Sequence, residues 1–148
     1  MSDILHRVGI KSSTSDAYRA LTTLQGLGGW WTTDTRGSCE VGGVIEFHFG
    51  TRGRIDMKVV ETDPVGRVVW QVVDGPADWI GNKVRFELKQ EGEQTTLLFK
   101  HQGWQEQSEF MHHCSTKWAS FLMSLKASVE SGRGTPFPND VHISVNWD

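Results

Sequence analysis

The sequence is poor in cysteine, and its two cysteines, Cys39 and Cys114, lie far apart. They form neither a CxxC pair nor the set of closely spaced cysteines that a disulfide framework requires, which is typical of a reducing compartment. Long apolar runs are also missing: none approaches the ~20 residues of a membrane span, and residues 1–9 lack the apolar core of a signal peptide. We therefore expect a cytoplasmic protein.

Clusters of positive charge are absent too, because the 15 Lys and Arg residues are scattered and the formal net charge is −3. Binding to nucleic acid or to an anionic membrane depends on such clusters, so we expect neither as a partner. Tyrosine is scarce, with one Tyr against seven Trp. Trp side chains are large and apolar and require a core or a pocket. The length of 148 residues fits a single domain over residues 1–148.

A long C-terminal helix is the strongest local pattern. Ser108 offers an N-cap side chain, and Gly132 can adopt the left-handed conformation that ends a helix. Pro136 and Pro138 prevent its continuation. A helix of about twenty residues is roughly 30 Å long, so its apolar stripe needs a partner of similar length. The stripe consists of Phe110, Cys114, Trp118, Phe121, Leu122, Leu125 and Val129.

The chain before this helix is mainly strand-like. Polar and apolar residues alternate from Ile4 to Lys11, and a series of alternating segments separated by turns follows a short helical pattern at residues 15–24. The Gly-rich residues 26–29 interrupt that helix, which predicts a flexible connection carrying Trp30 and Trp31. Short intervals between the strands favour hairpins. We therefore predict an α+β fold, with an antiparallel sheet packed against the C-terminal helix.

Several short segments occur in a specific order: Ser15 to Leu21, Gly29-Trp30-Trp31, Gly42-Gly43 before Ile45-Glu46-Phe47, Glu61 to Pro64 before Val68-Val69-Trp70, Val84 to Leu88 before Thr95-Thr96-Leu97, His101, Gly103-Trp104, and Trp118 to Leu125 ending at Gly132. Together they resemble the SRPBCC, or START-like, superfamily, and within it the homologues of the ATPase activator of the ninety-kilodalton heat-shock protein. The resemblance implies a helix-grip fold, a curved antiparallel sheet wrapped around a long C-terminal helix. It also implies a cavity between them, which binds apolar small molecules in many members. Members include carriers, receptors, cyclases and chaperone co-factors, so the fold does not fix one function.

An apolar pocket between sheet and helix is the main candidate site. Inward positions of the strands and helix would form its wall: Phe47, Phe49, Met57, Trp70, Phe86, Phe99, Trp118, Phe121 and Leu122. Loops and element ends would place four more aromatics at its entrance: Trp30, Trp31, Trp79 and Trp104. The alternative is that both sets fill the core and close the open end of the sheet, because buried aromatics are normal core residues. The sequence leaves both interpretations open.

The sequence shows no pattern of catalysis or metal binding. His112 and His113 are adjacent on a helix and point about 100° apart, so they cannot share an ion as an i, i+4 pair does. Cys114 lies on the apolar stripe, and a GxSxG nucleophile elbow is missing. Glu46 and Glu87 occupy the polar side of their strands. We expect no enzyme activity, no metal site and no cofactor.

The leading hypothesis is a non-catalytic protein that binds an apolar or aromatic small molecule or lipid, with residues 26–31 as a gate. The alternative is a module that interacts with a chaperone. Eukaryotic activators carry a further N-terminal domain, and we expect no room for it in 148 residues, which weakens this alternative. A cyclase- or hydrolase-like enzyme ranks last, because it needs an inward-facing acid or base. The tail extends beyond the family pattern. It contains an alternating series of apolar residues, which predicts an added edge strand or a surface cover: Val141, Ile143, Val145 and Trp147.

Overall fold

A computed structural model describes residues 1–144 and confirms the helix-grip α+β fold. The strands are β1 Ser2–Ile10, β2 Asp34–Gly37, β3 Val44–His48, β4 Arg54–Asp63, β5 Arg67–Asp74, β6 Lys83–Glu91 and β7 Gln94–Trp104. The helices are α1 Thr14–Thr22, α2 Leu24–Gly28 and α3 Glu109–Ser131, and two 3₁₀ turns span Gly50–Arg52 and Ala77–Trp79.

The strands form one antiparallel sheet in the order β1-β7-β6-β5-β4-β3-β2. Strands β2 to β7 follow chain order as hairpins, whereas β1 pairs with the last strand. Phe86 lies opposite Val68 on one side and Phe99 on the other, so these side chains share the concave face. The register shifts within the β4–β5 pair near Met57 and Val59. Such irregularities increase the local twist and bend of a sheet.

Helix α3 has the predicted ends. The Ser108 hydroxyl accepts a hydrogen bond from the Met111 N–H at 3.1 Å, and Gly132 is left-handed with φ 81°. Its buried stripe contains Cys114, Trp118, Phe121, Leu122, Ser124 and Leu125. Across residues 1–144, no helix has the combination of length and apolarity that crossing a membrane requires.

The Gly-rich segment after α1 is helix α2, which corrects the prediction of a flexible connection. The Thr23 side chain caps α2 by accepting from the Gly26 N–H at 2.9 Å. The indole N–H of Trp30 donates to the Ala20 carbonyl at 3.0 Å. A Cβ at Gly26 would lie 2.7 Å from the Cα of Ala20. Position 26 therefore requires glycine because α2 packs closely against α1. The sequence alone did not distinguish this need for close packing from a need for flexibility.

The segment after α3 lies beside the open end of the sheet. Phe137 forms a parallel bridge with the loop before β2, and Asp140 is buried. Residues 141–144 have no regular secondary structure, so they do not form the added edge strand. The remaining residues of that prediction, Val145 and Trp147, lie outside the described residues. Asp140, His142 and Ser144 border a cavity, and the surface cover stays a prediction.

Candidate functional site

The innermost aromatic side chains form a closed core. The ring centroids of Phe47 and Trp70 are 5.5 Å apart, those of Trp70 and Phe86 5.0 Å, and those of Phe86 and Phe99 5.3 Å. These are distances of direct ring contact, which leave no room for a ligand between the rings. The predicted site residues that lie in this core and do not border the cavity described next are Trp30, Phe47, Met57, Trp70, Phe86, Phe99, Trp104 and Leu122.

An open cavity of about 830 Å³ lies between α3, one end of the sheet and the C-terminal segment. Its volume is in the range of small-molecule sites. The Trp31 ring is central to its apolar wall, with its centroid 4.9 Å from that of Trp118 and 5.7 Å from that of Phe49. Trp79 stacks on Trp118 at 5.8 Å. The predicted site residues that border the cavity are Trp31, Phe49, Trp79, Trp118 and Phe121. Whether they bind a ligand stays a prediction.

The cavity also contains residues that sequence reasoning missed. Lys117 lies three residues after Cys114 and four before Phe121 on α3, and this helical spacing was the available signal that it faces the same way. Phe137 and Asp140 follow the last helix, where no periodicity indicates which residues turn inward. The further cavity residues are Arg52, Arg54, Ile55, Asp74, Phe110, His113, Cys114, His142 and Ser144, together with Gly53 before β4 and Gly75 and Pro76 after β5.

A buried ion pair joins α3 to the C-terminal segment at the cavity. The Lys117 Nζ lies 2.7 Å from Asp140 Oδ2, and the two side chains are 15% and 3% exposed. The same ammonium group donates to the Val141 carbonyl and lies 5.4 Å from the centroid of the Phe121 ring. Because the two charges match, the pair gives the cavity polar character without adding net charge.

The two arginines of the cavity differ in their partners. Arg54 lies near three carboxylates, at 2.9 Å from Asp56, 3.8 Å from Glu46 and 4.0 Å from Asp74. The guanidinium carbon of Arg52 lies 5.9 Å from the centroid of the Phe137 ring. Within residues 1–144, no carboxylate forms an ion pair with Arg52, so its charge faces the cavity mouth unmatched.

His101 supports the cavity wall from within the core. The Trp118 indole N–H donates to His101 Nδ1 at 3.1 Å, and the Asn82 side-chain amide lies 3.1 Å from Nε2. The ring packs edge-on against Trp79, with centroids 4.7 Å apart. Burial lowers the pKa of His101 to about 3. The imidazole is therefore neutral near pH 7, where it fixes the orientation of Trp118.

The cavity thiol is chemically quiet. Burial raises the pKa of Cys114 to about 12, although the Trp79 indole acts in the opposite direction. Because the thiolate is the reactive form of cysteine, Cys114 is an apolar wall residue at neutral pH. In the part of the chain that the structure describes, no three His, Cys, Asp or Glu side chains are grouped as metal ligands.

Comparisons with known proteins agree with this architecture. Residues 11–130 match the family model described as Activator of Hsp90 ATPase homolog 1-like protein. The solution structure of the Aha1 dimer from Colwellia psychrerythraea is 44% identical in sequence, and the match covers 90% of this chain and 100% of that chain with a TM-score of 0.83.

More distant structures share the fold alone. A protein from Staphylococcus saprophyticus is 13% identical over 90% of this chain and 95% of its own, with a TM-score of 0.75. A protein from Bacillus halodurans is 20% identical over 88% of this chain and 98% of its own, with a TM-score of 0.72. No curated protein matches the sequence.

Proposed function

Because the chain belongs to the family of proteins like the activator of Hsp90 ATPase homolog 1, we propose that it is a non-catalytic binding protein whose cavity holds an apolar or aromatic small molecule. The observation that carries this proposal is the open space of about 830 Å³ bordered by Trp31, Trp118 and Phe121. Its volume lies in the range of small-molecule sites, and its wall combines aromatic rings with a few charged groups, as ligand pockets do.

The aromatic wall would provide enough free energy for useful affinity. Burial of ~300 Å² of apolar ligand surface contributes about 7 kcal/mol before the cost of association. Ring contacts with Trp31 and Trp118 would add to this value. Once an association cost of about 4 kcal/mol is subtracted, a dissociation constant of roughly tens to hundreds of micromolar is expected for a ligand of two fused rings.

Two candidate acid–base groups, Cys114 at the cavity and His101 behind its wall, are poorly suited to catalysis. A general acid or base must exchange a proton near the working pH. The low pKa of His101 and the high pKa of Cys114 remove both from that range. Lys117 and Asp140 hold each other in an ion pair, which joins two segments of the chain.

A cavity-filling variant tests the proposal. Ile55 borders the cavity on β4, so Ile55→Trp should occupy part of it. Val73 is 45% exposed on β5 and does not border the cavity, which makes Val73→Trp a matched control. Calorimetric titration with 2-naphthamide should give micromolar binding to the wild type and to Val73→Trp, and binding at least tenfold weaker to Ile55→Trp. Thermal unfolding would establish that both variants are folded.

Two results would contradict the proposal. The first is that the wild type does not bind 2-naphthamide or any other member of a panel of neutral aromatic and lipid-like compounds. The second is equal affinity of the wild type and Ile55→Trp, which would place the bound compound elsewhere on the surface.

A second candidate function is interaction with an Hsp90-type chaperone. It is favoured by the family match over residues 11–130, whose description names an activator of the Hsp90 ATPase. This role requires a shared compartment, and the two free cysteines favour the cytoplasm. The test is the ATPase rate of the purified chaperone with and without equimolar protein. An unchanged rate and no co-elution of the two proteins would reject it.

We also propose that the chain forms a dimer, because the 44% identical Colwellia protein was solved as one. Light scattering after size exclusion should give twice the 16.7 kDa mass of one chain. A mass of one chain over the micromolar range would reject the dimer without affecting the cavity.

A further inference from the structure

We infer that the small molecule is an aromatic or apolar acid, whose anionic group binds Arg52 at the cavity mouth while its ring contacts Trp31 and Trp118. This inference rests on the proposed function and adds the chemical class of the ligand.

The first argument is the balance of charge around the cavity. Three side chains of fixed positive charge, Arg52, Arg54 and Lys117, border it together with two carboxylates, Asp74 and Asp140. Lys117 is matched by Asp140, and Arg54 lies near the carboxylates of β3, β4 and β5. The positive charge that remains without a carboxylate in residues 1–144 is that of Arg52. Among the described residues, Arg52 is therefore the cavity cation that is available to pair with an anionic ligand.

The second argument is the position of Arg52 at the end of a row of aromatic rings. Its guanidinium lies over Phe137, whose ring centroid is 5.5 Å from that of Phe49. Phe49 contacts Trp31, which in turn contacts Trp118. A flat ligand in contact with Trp31 and Trp118 would therefore extend outward towards Arg52.

The third argument is the chemistry of the guanidinium group. Arginine has five N–H donors in a planar fork that matches the two oxygens of a carboxylate. The guanidinium carbon of Arg52 lies 5.9 Å from the centroid of the Phe137 ring, within the range of a cation–π interaction, and Arg52 is exposed, so its N–H groups can reach a ligand. The Arg52 backbone N–H donates to the Phe49 carbonyl at 3.1 Å, and the following Gly53 has φ 115°, so the turn has a defined shape. This geometry fixes the backbone of Arg52 beside the cavity.

Three compounds with the same ring and different charge test the inference. They are 2-naphthoate, 2-naphthamide and 2-naphthylmethylammonium. Calorimetry at low salt should show that 2-naphthoate binds about tenfold more tightly than 2-naphthamide, the effect of one charge-assisted contact, and that the ammonium compound binds most weakly. Salt should weaken the binding of 2-naphthoate but leave that of 2-naphthamide nearly unchanged.

Arg52→Gln should reduce the advantage of 2-naphthoate to less than twofold without changing the affinity for 2-naphthamide. Because Arg52 is exposed, the variant is expected to fold. The matched control is Arg19→Gln, which removes the same charge from α1; Arg19 is 66% exposed and does not border the cavity. This control should keep the full advantage of the acid.

The outcomes separate the two proposals. Equal binding of 2-naphthoate and 2-naphthamide to the wild type would overturn the inference and leave the proposed function intact. The same holds if Arg52→Gln retains the advantage of the acid. If none of the three compounds binds, the proposed function fails, and the inference fails with it.

Discussion

His101 is the residue that connects the core to the cavity wall. It is fully buried, and its Nδ1 accepts the only N–H that the Trp118 side chain can donate. Trp118 borders the cavity on its other side. A polar residue in the core therefore determines the orientation of an apolar wall residue, and this arrangement requires a neutral imidazole.

The low pKa of His101 predicts a loss of stability in acid. The pKa is about 3 in the folded chain against an ordinary value of 6.5, so the unfolded chain binds a proton first as the pH falls. The stability contributed by the neutral form is complete above pH 6.5 and decreases between pH 6.5 and about 3. Between pH 7 and pH 5 the expected loss of unfolding free energy is ~2 kcal/mol.

Urea unfolding at these two pH values measures that loss. His101→Gln should be less stable than the wild type at pH 7 but should lose ~2 kcal/mol less on acidification. His112→Gln is the control, because His112 is exposed on α3. A loss in His101→Gln equal to that of the wild type would show that His101 does not titrate as described.

At the scale of secondary-structure elements, α3 holds together segments that are distant in sequence. The buried Ser124 hydroxyl donates to the Trp30 carbonyl at 2.8 Å and accepts from the Thr135 N–H at 2.8 Å. The Ser124 hydroxyl thus connects α3 to Trp30, two residues after α2, and to the C-terminal segment. The ion pair between Lys117 and Asp140 makes a second connection to that segment, about two turns closer to the N-terminus of α3.

Ser124→Ala should destabilise the protein by about 2 kcal/mol, because it leaves the buried Trp30 carbonyl without a donor and the Thr135 N–H without this acceptor. Ser131→Ala is the control, since the Ser131 hydroxyl is exposed and donates to the Ala127 carbonyl within α3. Its effect should stay within about 0.5 kcal/mol. Equal changes in the urea unfolding of the two variants would contradict the role given to Ser124.

Asp140→Asn should cost about 3 kcal/mol, because it keeps the shape of the side chain but removes the carboxylate that matches Lys117. It should also make residues 133–144 more susceptible to limited proteolysis. The control is Asp16→Asn, which breaks the pair between Asp16 and Arg19, whose side chains are 56% and 66% exposed. An exposed pair contributes little, so this change should stay within about 0.5 kcal/mol. A similar small effect of Asp140→Asn would mean that the C-terminal segment is held by other contacts.

At the scale of the whole molecule, the fold followed from patterns that are local in sequence. Caps, apolar periodicity and turn residues predicted α3 and the antiparallel strands because each depends on near neighbours. The site depends on contacts between distant segments. Trp30 and Trp31 are adjacent, yet Trp30 enters the core and Trp31 borders the cavity. Arg52 lies on a turn, and Asp140 follows the last helix. In such segments no repeating pattern of apolar residues indicates which way a side chain points.

The most direct test of the cavity as a ligand site is NMR mapping of the wild type with saturating 2-naphthamide. Binding between α3 and the sheet predicts the largest shifts at the indole N–H groups of Trp31 and Trp118 and at the amide of Phe121. It predicts no change at Leu5 and Leu98, which are 63% and 42% exposed. No shifts at saturation, or shifts confined to Leu5 and Leu98, would contradict a binding function for this cavity.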